Sequence, residues 1–226
     1  MDWFRGAVVD VRPAATGCFH LELDAPAEVK AAYAIPGQFV RLKPRVTPDG
    51  MFALAQAPRS KGPLEFLIKR GTPIAEELHG LKKGDPLEVS KAQGKGFPVD
   101  KARGHNLLLV ATGTGLAPMR AVIDHVRGER QAWNKVTLLF GAFTPSHFPW
   151  ADEFARWEKD AVAVQTIVSD VTPGWSGPVG FVQRLVETAP LEDTVALLVG
   201  QREMVAEVRG LLTSRGLSHE HVHLNF

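Results

Sequence analysis

The sequence predicts two domains: an N-terminal antiparallel six-stranded β-barrel and a C-terminal doubly wound α/β domain built on a five-stranded parallel sheet. Three observations lead there. Up to Ala102, short apolar-alternating runs are separated by Gly and Pro, the pattern of a small all-β unit. From Asn106 on, continuous apolar runs alternate with segments of helical period, as in a parallel sheet covered on both faces. Between them the stretch VDKARGH (99–105) is polar and carries a glycine, which marks the boundary. The expected domains are therefore 1–102 and 103–226.

Composition narrows the function. A chain of 226 residues is long enough for two separate cores. Apolar residues make up 45% and charged residues 23%, the balance of a globular protein in water. A net charge of +1 supplies no field to draw nucleic acid or an anionic membrane surface. No apolar run approaches the roughly 20 residues of a membrane span. The start, MDWFRGAVVDV, passes from an acid into a strand pattern rather than a signal peptide, so a cytoplasmic location is expected. Cys18 is the sole cysteine, which excludes an internal disulfide and a cysteine-ligated cluster within this chain.

In the first domain the expected strands are Gly6–Val11, Cys18–Leu23, Gln38–Leu42, Phe52–Ala57, Leu64–Lys69 and Pro86–Ser90. One helix interrupts them. Thr72 suits its cap and Pro73 its first position, Leu78 and Leu81 anchor it, and Gly84 ends the segment. In the second domain the expected strands are Leu107–Ala111, Val136–Gly141, Val162–Val168, Val195–Gly200 and His221–Asn225. Helical patterns lie at Ala117–Arg127, Ala151–Glu158, Val179–Glu187 and Glu203–Arg215.

The stretch NLLLVATGTGLAPM (106–119) organises the chain. A buried strand runs into a glycine turn and then a helix, which is how a protein builds an anion site. Gly113 and Gly115 let backbone N–H groups approach a phosphate, and Pro118 falls in the first helical turn, where a missing N–H costs nothing. The glycines Gly113, Gly115, Gly141 and Gly200 all fall at the carboxyl ends of expected strands, where open α/β sheets bind ligands. Other groupings carry less. His219, His221 and His223 alternate as if on one strand face, with no second cluster to complete a metal site. Lys82, Lys83, Lys91 and Lys95 form a mild basic rim. Cys18 reads as a small buried apolar residue, and Trp150, Phe154 and Trp157 as a core stripe.

ATGTGLAP resembles the pyridine-nucleotide signature of the ferredoxin–NADP reductase superfamily, and the order of the remaining motifs agrees. PGQFVRLKP and KRGTPIAEELHGLKKGDPLEVSKAQGKGF resemble the flavin domain of that family. LLFGA (138–142), VSD (168–170), GWSGPVGFVQ and LLVGQREM resemble its nucleotide domain. The likeness is nearest to a short branch of FAD/NAD(P)-binding oxidoreductases of plants and bacteria. It implies hydride transfer from NAD(P)H to FAD, and electrons passed on to an acceptor protein or small molecule. It implies that Thr112, Gly113, Thr114, Gly115, Ala117 and Pro118 hold the nucleotide pyrophosphate, with Gly141 nearby. Ser169 and Asp170 would read the ribose. A carboxylate repels a 2′-phosphate, so Asp170 favours NADH.

Phe52, Ala53, Leu54, Ala55, Lys69, Gly71 and Thr72 would line the flavin side. Val199, Gly200, Gln201, Met204 and the terminal Phe226 would meet at the nicotinamide–flavin contact, with Val199 and Phe226 nearest the chemistry. Two departures stand out. Gly50 occupies the position of the family's pyrophosphate-binding arginine, and Ala53 that of its hydroxyl residue. Lys69 or Arg70 is a possible replacement cation, and backbone N–H groups of Ala53–Ala55 could serve the flavin instead. The same departures leave open a flavin-poor nucleotide-binding or regulatory module, or an electron-transfer subunit of a larger complex.

Overall fold

The computed structural model describes residues 2–225. The first sheet holds six antiparallel strands: β1 (Phe4–Ala15), β2 (Cys18–Asp24), β3 (Phe39–Lys43), β4 (Gly50–Ala53), β5 (Leu64–Lys69) and β6 (Pro86–Val89). Their spatial order is β4-β3-β6-β1-β2-β5. Beyond β4 the chain curls across to the other edge. Leu54 N–H still donates to Gln38 O at 3.1 Å, whereas Ala55 N–H donates to Glu65 O at 2.9 Å. That bond links the two edge strands and draws the sheet into a barrel. Alternate side chains, including Phe19, Leu21, Leu23, Val40, Leu42 and Phe66, fill its interior.

Two helices belong to this half. The helix α1 (Ala27–Ala32) is absent from the sequence reading, because six residues with only Val29 buried give no periodic signal. The helix α2 (Pro73–Gly80) is capped as expected: the Thr72 hydroxyl accepts from Ala75 N–H at 3.3 Å.

The second sheet is parallel throughout, with β7 (Asn106–Thr112), β8 (Val136–Ala142), β9 (Val162–Val168), β10 (Thr194–Val199) and β11 (Val222–Leu224) in the order β11-β10-β7-β8-β9. The chain steps outward from β7 to β9 and then crosses back to β10. This creates a switch point between β7 and β10. Side chains alternate strictly along β7. Leu107, Leu109 and Ala111 enter the layer of α3 (Leu116–Arg127) and α4 (Ala151–Lys159). Leu108 and Val110 enter the layer of α5 (Val182–Thr188) and α6 (Arg202–Ser214).

Several expectations shift. The fourth strand stops at Ala53 instead of Ala57, because Leu54 and Ala55 turn to close the barrel. The fifth helix starts three residues late: Val179 bridges to Val168 as a strand residue, and Gly180 takes φ +139°. The three histidines do not share a strand face. Ser218 accepts from Glu220 N–H, so His219–His221 coil into a 3₁₀ turn, and only His223 lies in β11. No group of three or more His, Cys, Asp or Glu side chains among the described residues is placed to hold a metal ion. Among them, too, no helix is long and apolar enough to cross a membrane.

The two sheets share one apolar core, in which Ala55, Leu67, Phe97 and Val99 pack with Leu116, Ala117, Met119 and Ile123. A polar cluster sits within the same seam. Arg120 of α3 donates to Glu65 of β5 at 2.8 Å and to both oxygens of Glu153 of α4 at 3.1 Å, and lies over the Trp150 ring. His20 Nδ1 receives two donors, Arg12 Nη2 at 2.9 Å and Trp150 Nε1 at 3.3 Å. The ring proton therefore sits on Nε2, which faces Glu65 Oε2 at 3.3 Å. Burial raises the Glu65 pKa, but His20 and the Arg120 charge outweigh it and hold the carboxyl below its ordinary range.

Removing Arg120 leaves two carboxylates in the seam without their cation. Arg120→Ala is therefore expected to destabilise the protein by about 3 kcal/mol, read as a fall in the urea midpoint. Because the folded-state pKa of Glu65 is depressed, its contribution is complete above the unfolded value and is lost as pH falls through the folded value. An acid titration of Glu65→Gln should accordingly lose less stability below pH about 4 than the parent chain does.

Candidate functional site

A cavity of about 900 Å³ opens between the two domains, large enough for a cofactor-sized ligand. Its α/β wall is formed where four parallel strands end: Thr112 at the end of β7, Gly141 and Ala142 in β8, Ser169 after β9, and Val199 and Gly200 at β10. Its barrel wall comes from Thr16, Gly17, Cys18, Ala53 and Lys69.

The glycine turn is shaped for a close backbone approach. Gly113 takes φ +55° with open space where a side chain would be. A Cβ on Gly115 would lie 2.8 Å from Val199 O, so a side chain there would push the helix start away from β10. Gly113–Gly115 form a 3₁₀ turn that leads directly into α3. The first N–H groups of such a turn have no acceptor inside the helix and carry its positive dipole end. Gly200 takes φ +155°, and a Cβ there would meet Met204 Cε at 2.3 Å and Thr112 Oγ1 at 2.4 Å. Thr112 Oγ1 is buried with no protein partner. A buried orphan hydroxyl costs about 1–3 kcal/mol, which makes it a natural contact for a polar ligand group. This wall fits a pyridine dinucleotide.

The barrel wall is also ready at its ring-sized end. Ala53 faces Phe39 in β3, but Phe39 exchanges both of its backbone bonds with Gln93. The Ala53–Phe39 pair is therefore a non-bonded one, and the Ala53 N–H points to the open edge of β4. Lys69 is exposed and makes no hydrogen bond or ion pair among the described residues. Cys18 is its cross-strand partner. It is half-buried on the cavity wall, not enclosed in the core as the sequence suggested. Burial pushes its thiol pKa up, with Lys69 opposing, so it stays a thiol near neutrality.

The sequence-derived residues divide clearly. Thr112, Gly113, Thr114, Gly115, Pro118, Gly141, Ser169, Val199, Gly200, Gln201 and Met204 meet on one cavity wall, and Ala53 and Lys69 on the other. Ala117 is enclosed in the shared core. Asp170 is exposed, directly after the lining residue Ser169. Phe52 packs on the barrel core, and Leu54 and Ala55 are fully buried. The N–H groups of Leu54 and Ala55 are already bonded inside the barrel, which corrects the expectation that they serve a flavin. Arg70, the other possible replacement cation, pairs with Glu76 at the surface. Gly71 and Thr72 are exposed at the same corner. Phe226 lies outside the described residues.

Several lining residues escaped the sequence reading. Thr16 and Gly17 reach the cavity because the β1–β2 turn leans onto the other domain, where Thr16 N–H donates to Ser146 O at 2.9 Å. Phe143 and Phe181 stand at the mouth, 58% and 71% exposed, far more than aromatic side chains need. Glu203 and Glu207, one helical turn apart on α6, add negative charge to the wall. Gln183 Nε2 donates to Glu207 at 2.5 Å.

Comparison with known proteins agrees with this geometry. Residues 109–210 match the oxidoreductase NAD-binding domain. The chain is 30% identical over 210 residues to fruit protein pKIWI502 of Actinidia deliciosa, covering 84% of this chain and 65% of that one. It is 29% identical over 192 residues to sulfhydrogenase 1 subunit gamma of Pyrococcus furiosus, covering 83% and 66%. The chain thus spans about two thirds of the length of these relatives. Among solved structures, a ferredoxin NADP⁺ reductase from Neisseria gonorrhoeae with bound FAD and NADP superposes with a TM-score of 0.83 at 18% identity, covering 99% of this chain and 98% of that one. Residues 109–210 thus match an oxidoreductase NAD-binding domain, and the chain as a whole has the two-domain fold of the ferredoxin reductase structures.

Proposed function

We propose that the protein is a flavin-dependent reductase that takes a hydride from NAD(P)H, with NADH favoured, and delivers electrons to an acceptor. The observation that carries this reading is the single cavity with two different walls. One is a glycine turn with free N–H groups and an orphan hydroxyl, and the other is a strand edge with an open N–H and an unpaired ammonium. The relatives' printed names include reductases and a sulfhydrogenase subunit, and one neighbour holds FAD and NADP. A flavin supplies hydride acceptance and electron release, and the protein supplies binding and orientation.

The chain's own residues have separable tasks. The turn Gly113–Gly115 and the start of α3 receive the dinucleotide phosphates. Thr112 Oγ1, buried beside Gly200, bonds a polar group of the same ligand. Val199 and Gly200 present an apolar side chain and bare backbone to the nicotinamide, while Ala53 and Lys69 face the flavin ring. Ser169, with Asp170 beyond it, reads the adenosine ribose. Glu203 and Glu207 leave the wall acidic, so a 2′-phosphate is disfavoured. The domains proposed for these roles are 1–102 and 103–226.

Thr112→Val keeps the shape and removes the orphan hydroxyl. It should stabilise the ligand-free protein by about 1 kcal/mol, seen as a higher Tm, while weakening NADH binding about tenfold in calorimetry. The reading as a whole is tested by adding NADH or NADPH to protein and flavin under argon. NADH should bleach the flavin at least about tenfold more efficiently than NADPH, and Asp170→Asn should narrow the gap. A flavin band that neither nucleotide bleaches would sink the proposal.

A further inference from the structure

We infer that the flavin is recognised by its ring and not by its phosphate tail, so that riboflavin, FMN and FAD are interchangeable, exchangeable substrates. This rests on the flavin reading above and names the acceptor class for the same cavity.

The argument follows the barrel wall outward. Ala53 ends β4 and Lys69 ends β5, and both line the cavity. Away from the ring end, the wall continues backward along β4 to Gly50 and forward from Lys69 into Arg70–Thr72 and α2. These two stretches touch, since a Cβ on Gly50 would lie 3.0 Å from Ile74 Cδ1. A phosphate tail running along the barrel from the ring would meet this corner. Apart from Arg45, which is exposed and has no side-chain partner among the described residues, its anion-binding groups are already in use. The Arg70 guanidinium bonds the Glu76 carboxylate, and Gly71 N–H donates to Glu76 Oε1 at 2.9 Å. Ala75 N–H is taken by the Thr72 hydroxyl at 3.3 Å. Glu77 accepts from Val46 and Thr47 N–H at 2.8 and 2.7 Å. Arg41 is paired with Asp49.

The room for a longer side chain at residue 50 is occupied as well, because the Phe52 ring stands 3.2 Å from where its Cβ would be. The Arg70 bond, with Gly71 N–H assisting, lowers the Glu76 pKa to about 2, so the corner presents a carboxylate at any working pH. A diphosphate entering it would find the Arg70 cation already neutralised by that carboxylate. The ring end, by contrast, keeps the open Ala53 N–H and the unpaired Lys69. Each turnover then moves a hydride from NAD(P)H to the bound flavin with one proton taken from water. NAD(P)⁺ and dihydroflavin are both released, and the two electrons leave with the dihydroflavin.

The test is calorimetric titration of the full chain with riboflavin, FMN and FAD in turn, and then of Glu76→Ala with the same three. FAD binding less than tenfold tighter than riboflavin supports the inference. FAD binding tenfold tighter or more overturns it while leaving the reductase reading intact. If that preference vanishes in Arg45→Ala, the exposed and unpaired Arg45 is the tail's cation. In Glu76→Ala, which frees Arg70 and Gly71 N–H, FAD should gain tenfold or more over riboflavin. An unchanged ratio in variant protein with a native circular dichroism spectrum removes Glu76 from its role and overturns the assignment. Failure of all three flavins to bind the parent chain overturns the flavin reading itself.

Discussion

The junction between the domains rests on one guanidinium. Arg120 leaves α3 just beyond the glycine turn and bonds a barrel strand through Glu65 and a neighbouring helix through Glu153, with Trp150 beneath its plane. A buried cluster of this kind adds little net stability against an apolar alternative, but it is intolerant of losing a member. Its value here is geometric. It ties the helix that begins at the glycine turn to the strand that ends at Lys69. The two walls of the cavity are thereby held in fixed relation.

Those walls differ in how far they were already shaped. The α/β wall is made of backbone: glycines where a Cβ would collide, free N–H groups and one orphan hydroxyl. The barrel wall has an open ring end and a closed corner, because Glu76 of α2 bonds Arg70 and the Gly71 N–H ahead of the helix, and Glu77 bonds the N–H groups of Val46 and Thr47.

The sequence made the fold legible where local chemistry dictates it. Asn106–Met119 announces strand, turn and helix because each needs distinctive residues: an apolar run, glycines, then helical periodicity. Thr72 and Pro73 announce α2 in the same way. The α1 helix is silent because one buried valine in six residues makes no pattern. The histidines misled because a serine cap at Ser218 outweighs period-two spacing. Arg120 was invisible for another reason. Its partners lie 55 and 33 positions away, and nothing in the surrounding helix distinguishes it from a solvated arginine. The Arg70–Glu76 pair escaped because an unpaired arginine and a neutralised one read alike in sequence.

The turn between β1 and β2 has a consequence of its own. Gly17 takes φ +70° there and forms part of the cavity wall. On one side Thr16 is bonded to Ser146 of the other domain, by backbone at 2.9 Å and by hydroxyl at 3.0 Å. On the other side Cys18 pairs with Lys69. The turn therefore belongs to the barrel by covalent connection and to the α/β domain by hydrogen bonding. The wall at Gly17 is therefore fixed from both domains at once, and neither can shift without moving it.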